Sequence, residues 1–130
     1  MIDHVSVEVA DIARARAFYD AALAPLGYAR CFDLDNDASG YGLTLRTPLK
    51  EQALPFWIGR TERAVAANGH VCFAAPSRAA VDAFYGAALA AGGRDNGKPG
   101  LRPHYHAHYY AAFIVDPDGN RIEAVRHQPE

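Results

Sequence analysis

The segment His4-Val5-Ser6-Val7 recurs 66 positions later as His70-Val71-Cys72-Phe73. The same offset places Ala17-Phe18-Tyr19 over Ala83-Phe84-Tyr85, and 11 of the 24 positions from His4 to Gly27 are identical without a gap. Self-similarity at a fixed period is typical of a repeated structural unit. We therefore predict one motif present twice, as residues 1–62 and 66–130 of a single domain, with the stretch 61–68 as the connection.

Each copy is predicted to begin with a strand that leads into a helix. The valines at positions 5, 7 and 9 alternate with polar residues, which is the period of a half-buried strand. Asp11, and Ser77 in the second copy, are suitable helix N-caps, and apolar residues follow both at helical spacing. Gly27 and the pair Gly92-Gly93 are expected to end the two helices.

Three further strand-like segments follow each helix, at 27–34, 40–47 and 54–59 in the first copy and at 93–96, 107–115 and 120–126 in the second. The sequence Asp116-Pro117-Asp118-Gly119-Asn120 predicts a tight hairpin between the last two. The stretch from Asn96 to Pro103 holds two glycines and two prolines and is expected to be irregular. The unit is βαβββ, and we expect an α+β fold in which two units form a cupped, mostly antiparallel sheet with helices on its convex side.

Composition and charge exclude several classes of partner. The chain has 130 residues, of which 13 are basic and 15 acidic, so no basic excess points to nucleic acid. No apolar run approaches the roughly 20 residues that a membrane helix needs. The N-terminus lacks the pattern of a signal peptide, and the isolated Cys31 and Cys72 favour reduced thiols. We therefore expect a cytoplasmic protein.

Histidines in the two predicted first strands suggest a metal site. Strand side chains alternate between faces, so His4 and Glu8 should lie on the face opposite the valines, as should His70 and Cys72. If the two copies pair symmetrically, His4 and His70 meet on this face. Glu123 lies in the middle of the last predicted strand, where a carboxylate requires a cation, a metal ion or a proton. Two histidines and one carboxylate form the set that leaves open positions on a metal ion.

Structural roles for these residues are the alternative. The two histidines would then be relics of the duplication, hydrogen-bonded to backbone or to Glu123. Glu123 would instead pair with Arg121 or Arg126.

The run His104-Tyr105-His106-Ala107-His108-Tyr109-Tyr110 is the second cluster of interest. If it is all strand, alternation places the three histidines and Tyr110 on one face, as part of a pocket wall. His106, His108 and Tyr110 are then the candidates for a general acid or base. The other possibilities are a loop whose aromatic rings close the open end of the cup, or a separate metal site. The predicted pocket is completed by Trp57, Phe56, Cys72, His104 and Glu8. Lys98 and Arg102 are candidates to meet an anionic substrate, and the alternative is that they are ordinary exposed side chains of a loop.

Taken together, the doubled βαβββ pattern, the paired His4 and His70, Phe-Tyr in each helix and the sequence from Asp116 to Glu123 resemble the vicinal oxygen chelate superfamily. That superfamily includes glyoxalase I, extradiol dioxygenases, fosfomycin-resistance transferases and bleomycin-resistance proteins. The resemblance implies metal ligands on the first and fourth strands of each module, at His4, Trp57, His70 and Glu123. Tryptophan does not bind a metal ion, which argues against the four-ligand set of glyoxalase I.

The resemblance therefore implies a three-ligand site of His4, His70 and Glu123 for Fe, Mn, Ni or Zn. The predicted function is a metal-dependent enzyme that acts on a small substrate with adjacent oxygen atoms, by lyase or ring-cleaving dioxygenase chemistry. One alternative is a metal-free protein that sequesters a small molecule, as bleomycin-resistance proteins do. A fosfomycin-type thiol transferase is a further alternative, and a homodimer is expected by resemblance.

Overall fold

The computed structural model describes residues 1–44 and 54–130, and these residues form two successive βαβββ modules. The first consists of β1 (Val5–Val9), α1 (Ile12–Leu23), a short 3-10 turn (Ala24–Leu26), β2 (Tyr28–Leu34), β3 (Ala38–Leu43) and β4 (Phe56–Arg60). The second consists of β5 (His70–Ala74), α2 (Arg78–Ala90), β6 (Arg94–Leu101), β7 (Tyr110–Val115) and β8 (Arg121–Arg126). The predicted α+β fold is confirmed.

Side-chain caps start both helices, as predicted. The carboxylate of Asp11 accepts a hydrogen bond from the Arg14 backbone N–H, and the Ser77 hydroxyl accepts one from that of Ala80. These contacts satisfy backbone donors that have no partner within a helix. Gly27 ends the 3-10 turn with φ of 83°, a left-handed conformation that glycine adopts without steric cost.

Two of the predicted boundaries in the second module are wrong. Strand β6 runs through Lys98 and Gly100, where an irregular loop was expected. Pro99 is tolerated there because β6 is an edge strand, although its register with β7 shifts on both sides of Gly97. Strand β7 begins at Tyr110 and not at residue 107, because the preceding residues form turns. In the first module, the part of the predicted strand 40–47 beyond residue 44 lies outside the described residues.

The described strands form two four-stranded sheets, with strand orders β1-β4-β3-β2 and β5-β8-β7-β6. In each sheet the first strand of the module pairs in parallel with the fourth, and the other pairs are antiparallel. Neither β1 nor β5 has a second strand partner within the part of the chain that is described, so each is an edge strand. We call these sheet A and sheet B.

One hydrophobic core is shared by the two sheets and both helices. Phe56 of sheet A packs edge-on against Phe73 of sheet B, with ring centroids 5.1 Å apart, and Tyr28 contacts Phe73 at 5.3 Å. Phe18 and Phe84, the aligned aromatic residues of α1 and α2, are both buried in this core. Each sheet therefore has an inner face on the core and an outer face that is directed away from it.

The hairpin of residues 116–120 holds the modules together. Asp116, which is 1% exposed, accepts a 2.6 Å hydrogen bond from the Tyr19 hydroxyl. The Asn120 amide donates to the Glu8 carbonyl at 2.9 Å, and Asp118 accepts from the Ala10 backbone N–H at 3.0 Å. The predicted hairpin is confirmed, and it has a structural role between modules. Among the helices that the structure describes, none is long and apolar enough to cross a membrane.

Candidate functional site

Four side chains of interest share the outer face of sheet B. Cys72 on β5 and Phe113 on β7 both lie opposite Glu123 on β8, and His70 lies two residues before Cys72 on the same face. A cavity of about 180 Å³ opens beside them and is lined by His70, Asn96, Phe113, Arg121 and Ile122.

Glu123 is the buried acid of this face, with its side chain 2% exposed. Its Oε2 lies 2.9 Å from Nε2 of His70, and its Oε1 accepts a 2.6 Å hydrogen bond from the Tyr109 hydroxyl. Both carboxylate oxygens therefore have partners, which is what a buried charge requires. Pairing with Arg121 or Arg126 is not observed, because Arg121 donates to backbone carbonyls and Arg126 pairs with Glu130.

Tyr109 is the site residue that the sequence did not identify. It lies just before β7, in a segment closed by hydrogen bonds from the Arg102 N–H to the Tyr109 carbonyl (2.7 Å) and from the Tyr109 N–H to the His106 carbonyl (3.1 Å). Burial and the neighbouring Glu123 raise the pKa of its phenol well above the usual value. Tyr110, predicted to be on the pocket face, instead donates a 2.7 Å hydrogen bond to Asp82 on α2.

Cys72 lies on the same face, directly across from the buried carboxylate. Burial raises the pKa of its thiol well above the ordinary value, and Glu123 adds to this effect. The thiol is therefore the form present near neutral pH, and the influences on Cys72 are opposite to those that activate a nucleophilic cysteine.

The predicted metal ligands come together only in part. A separation of 2.9 Å between His70 and Glu123 matches two neighbouring ligands on one transition metal ion, since bonds of about 2.1 Å at a right angle span roughly 3 Å. His4 lies just before β1, is 54% exposed, and contacts Asp3 at 2.7 Å. Within residues 1–44 and 54–130, no three His, Cys, Asp or Glu side chains are grouped to hold a metal ion. One chain thus presents two of the three predicted ligands.

The histidine cluster is organised by turns rather than by strand alternation. Nε2 of His106 lies 2.9 Å from Nδ1 of His127, and Nδ1 of His106 accepts a 3.1 Å hydrogen bond from the His108 backbone N–H. His104 packs on Tyr105 with ring centroids 4.3 Å apart. The alternation expected if this run were all strand is not observed, because the run forms turns, as in the loop alternative. His127, which had no predicted role, is a member of the cluster.

The outer face of sheet A carries aromatic side chains. The indole of Trp57 lies over Gly40, donates to the Leu54 carbonyl at 3.0 Å, and contacts Phe32 at a centroid distance of 6.1 Å. Phe56, which was predicted to line a pocket, is directed into the core and is 1% exposed. Alternation along β4 explains this outcome, since Phe56 and Trp57 must face opposite sides.

Glu8 is engaged by the connection between modules. Its carboxylate pairs with Arg63 and accepts a hydrogen bond from the Ala66 backbone N–H. A larger cavity of about 470 Å³ lies along β2 and α1, and the charged groups in it are already paired, Arg30 with Asp20 and with Asp33. This second cavity holds none of the predicted site residues.

A comparison with known proteins identifies the class that this fold and site define. Residues 1–124 match the model of the Glyoxalase/Bleomycin resistance protein/Dioxygenase superfamily. The chain belongs to this superfamily. A comparison with curated protein sequences finds no match.

Solved structures agree with this membership. A glyoxalase/bleomycin resistance protein from Albidiferax ferrireducens T118 is 32% identical with a TM-score of 0.78, and the alignment covers 98% of each chain. A family enzyme from Burkholderia phytofirmans PsJN, 16% identical, also aligns over 98% of each chain with a TM-score of 0.70. A glyoxalase I variant from Zea mays is 21% identical with a TM-score of 0.66, and covers 94% of this chain and 45% of that one. The last two show the shared fold.

Proposed function

We propose that this protein is a metal-dependent enzyme that acts on a small substrate with two adjacent oxygen atoms, by lyase or ring-cleaving dioxygenase chemistry. The observation that carries the proposal is Glu123, a 2% exposed carboxylate placed 2.9 Å from His70 beside an open cavity. A buried carboxylate is costly unless it is paired with a hydrogen-bond donor or cation or binds a metal ion. A bound Fe, Mn, Ni or Zn ion would supply a Lewis acid that polarises the substrate oxygens.

In this proposal, His4 of a second copy completes the ligand set. Strands β1 and β5 are edge strands of separate sheets, and an unpaired edge is a template for pairing with another chain. If β1 of one copy lies beside β5 of the other, His4 approaches His70 and Glu123 across the new strand pair. A homodimer with two equivalent sites follows from such pairing, because each chain offers both edges.

The residues of the chain have separate tasks in the proposed site. Tyr109 holds Glu123 by a 2.6 Å hydrogen bond, which fixes the carboxylate toward His70. The turn segment that carries Tyr109 places the phenol against the carboxylate, which is 2% exposed. With the pKa of Tyr109 raised, its phenol stays protonated near neutral pH and remains a hydrogen-bond donor.

A mixed dimer tests whether the site lies between chains. Two chains with different affinity tags, one carrying His4→Ala and the other His70→Ala, are produced together, and the doubly tagged dimer is isolated. We expect no metal on either variant alone and one metal ion per mixed dimer, because one of its two sites keeps all three ligands. His104→Ala in both chains is the matched control and leaves full occupancy. A mixed dimer without metal would show that the ligands do not come from two chains.

The reaction is tested separately, with oxygen uptake on a panel of catechols compared against turnover of a glutathione hemithioacetal. Activity on either substrate that is lost in Glu123→Gln supports the enzyme. Activity that persists in that variant contradicts the role assigned to the carboxylate.

A metal-free binding protein is the second candidate function. One chain groups only two of the three ligands among its described residues, and Trp57 and Phe32 present aromatic surface on sheet A. Trp57 is the single tryptophan of the sequence, so its fluorescence reports directly on a ligand at this face. Protein that takes up no metal, yet changes its tryptophan emission with a small aromatic ligand, would favour this function.

A further inference from the structure

We infer that the cavity beside His70 recognises a small carboxylate, bound by Arg121 with Arg102 at its rim. This inference deepens the proposed function, on which it rests for placing the substrate at this cavity. The cavity measures about 180 Å³, below the roughly 300–1,000 Å³ of pockets for drug-sized molecules, so its ligand is small.

Arg121 is an exposed residue, and its guanidinium has no carboxylate within 4.0 Å in residues 1–44 and 54–130. It lies beside His70 in the register of β5 and β8, on the same outer face. Its Nη2 donates to the Asn68 carbonyl at 2.9 Å and its Nε is 3.4 Å from the Gly69 carbonyl. These carbonyls orient the guanidinium without neutralising it, and its remaining N–H groups are free to bind a carboxylate oxygen.

Arg102 supplies a second cation beside the same cavity. Its guanidinium lies 5.4 Å from the ring centroid of Phe113, which lines the cavity, and it donates to the Lys98 carbonyl at 2.6 Å. A Cβ atom at Gly100 would come within 3.2 Å of this guanidinium, so the glycine leaves room for it. Arg102 therefore contacts Phe113, and Phe113 and Arg121 line the same cavity.

The absence of acidic partners separates these arginines from most others in the described residues. Six arginines each lie within 4.0 Å of a carboxylate; they are Arg14, Arg16, Arg30, Arg60, Arg63 and Arg126. Arg78 and Arg94 likewise have no carboxylate within 4.0 Å among the described residues, and what distinguishes Arg121 and Arg102 is their position at the cavity. Glu123 is directed at His70 and Tyr109, and within residues 1–44 and 54–130 it forms no ion pair with either arginine.

The groups that a ligand meets in this cavity are therefore donors and rings. Arg121, His70, Asn96, Phe113 and Ile122 line it, and the ring of Phe113 lies 6.3 Å from that of His70. Guanidinium groups bind planar carboxylates by paired, charge-assisted hydrogen bonds. The chemical class is a small carboxylate with a hydroxyl or oxo oxygen on the adjacent carbon or ring position, so that this second oxygen faces His70.

Calorimetric titration of the full chain with salicylate and pyruvate, each compared with its neutral amide, tests this inference. The protein is kept metal-free by chelator, so that failure of the metal proposal does not affect the result. We expect at least one carboxylate to bind more tightly than its amide. Arg121→Gln should weaken that binding by roughly tenfold or more, as loss of a charge-assisted pair predicts. The affinity of Arg121→Lys for the carboxylate should lie between those of the unaltered chain and Arg121→Gln. This variant serves as the test if Arg121→Gln does not fold.

Arg94→Gln is the matched control, because Arg94 lies on the edge strand β6 and is not among the residues that line the cavity. The Arg94→Gln variant should bind the carboxylate as tightly as the unaltered chain does. Arg102→Gln should bind it more weakly. Equal affinity for acid and amide, binding unchanged in Arg121→Gln, an equal loss in Arg94→Gln, or no binding of either acid would overturn the inference.

Discussion

The hydroxyl of Tyr109 donates a 2.6 Å hydrogen bond to Oε1 of Glu123, and so joins the turn segment before β7 to the buried carboxylate of β8. Removal of the hydroxyl leaves Oε1 buried without that donor, and a buried unsatisfied acceptor costs about 1–3 kcal/mol. Tyr109→Phe should therefore lower the free energy of unfolding by about this amount in urea denaturation. Tyr110→Phe is the control, since its partner Asp82 is exposed and water replaces the lost bond. A larger loss in Tyr110→Phe than in Tyr109→Phe would contradict this description of Glu123.

Tyr19 is expected to make the free energy of unfolding fall at alkaline pH. Burial and, after it, Asp116 raise the pKa of Tyr19 well above the ordinary value of about 10. The folded state therefore keeps the phenol protonated while the unfolded chain ionises it. The stabilisation from Tyr19 is complete below about pH 10 and is lost as pH rises further.

Tyr19→Phe should reduce the slope of unfolding free energy against pH above about pH 10, because it has no group to ionise. At neutral pH the variant should lose about 1 kcal/mol through the missing hydrogen bond to Asp116. Tyr105→Phe, at a side chain that is 60% exposed, should leave both quantities unchanged. An alkaline slope equal to that of the unaltered chain would show that Tyr19 does not carry this dependence.

A side chain at Gly40 is predicted to overpack the outer face of sheet A. A Cβ atom there would lie 2.5 Å from Cδ1 of Leu54 and 3.0 Å from Cζ2 of Trp57. Gly40→Ala should therefore destabilise the protein by about 1–3 kcal/mol, as overpacking does, and should shift the emission of Trp57. Gly86→Ala should have the opposite sign, with a gain of up to about 1 kcal/mol, because Gly86 lies inside α2 with nothing within 4 Å of its added Cβ. A change in the free energy of unfolding of the same sign in Gly40→Ala and Gly86→Ala would contradict the packing described for these two glycines.

The repeat and its elements could be predicted from the sequence, whereas the closure of the 103–109 segment could not. Alternating histidines and tyrosines are typical of a strand, but here backbone hydrogen bonds from Arg102 to Tyr109 and from Tyr109 to His106 fold the segment into turns. This closure places Tyr109 on Glu123 and leaves Tyr110 to start β7 on the inner side. These hydrogen bonds depend on tertiary structure, and the alternation of residues along the sequence does not predict them.

Long-range contacts account for the other differences. The hairpin from Asp116 to Asn120 was predicted from its turn residues, yet its bonds to Tyr19 and Glu8 depend on how the modules pack. Pro99 argued against a strand, and only the position of β6 at a sheet edge removes that objection. The pairing of His70 with Glu123 was among the possibilities considered from the sequence, because both were placed on one face.

The central claim, that His70 and Glu123 hold a metal ion together with His4 of a second copy, is tested most directly by metal stoichiometry. Protein purified without chelator, or loaded with Fe(II), Mn(II), Ni(II) or Zn(II), is separated by size exclusion and analysed for metal per chain. We expect a dimer with one metal ion per chain, and loss of that metal in His4→Ala, His70→Ala and Glu123→Gln but not in His104→Ala. A protein that binds none of the four ions, or that keeps its metal in Glu123→Gln, would contradict it.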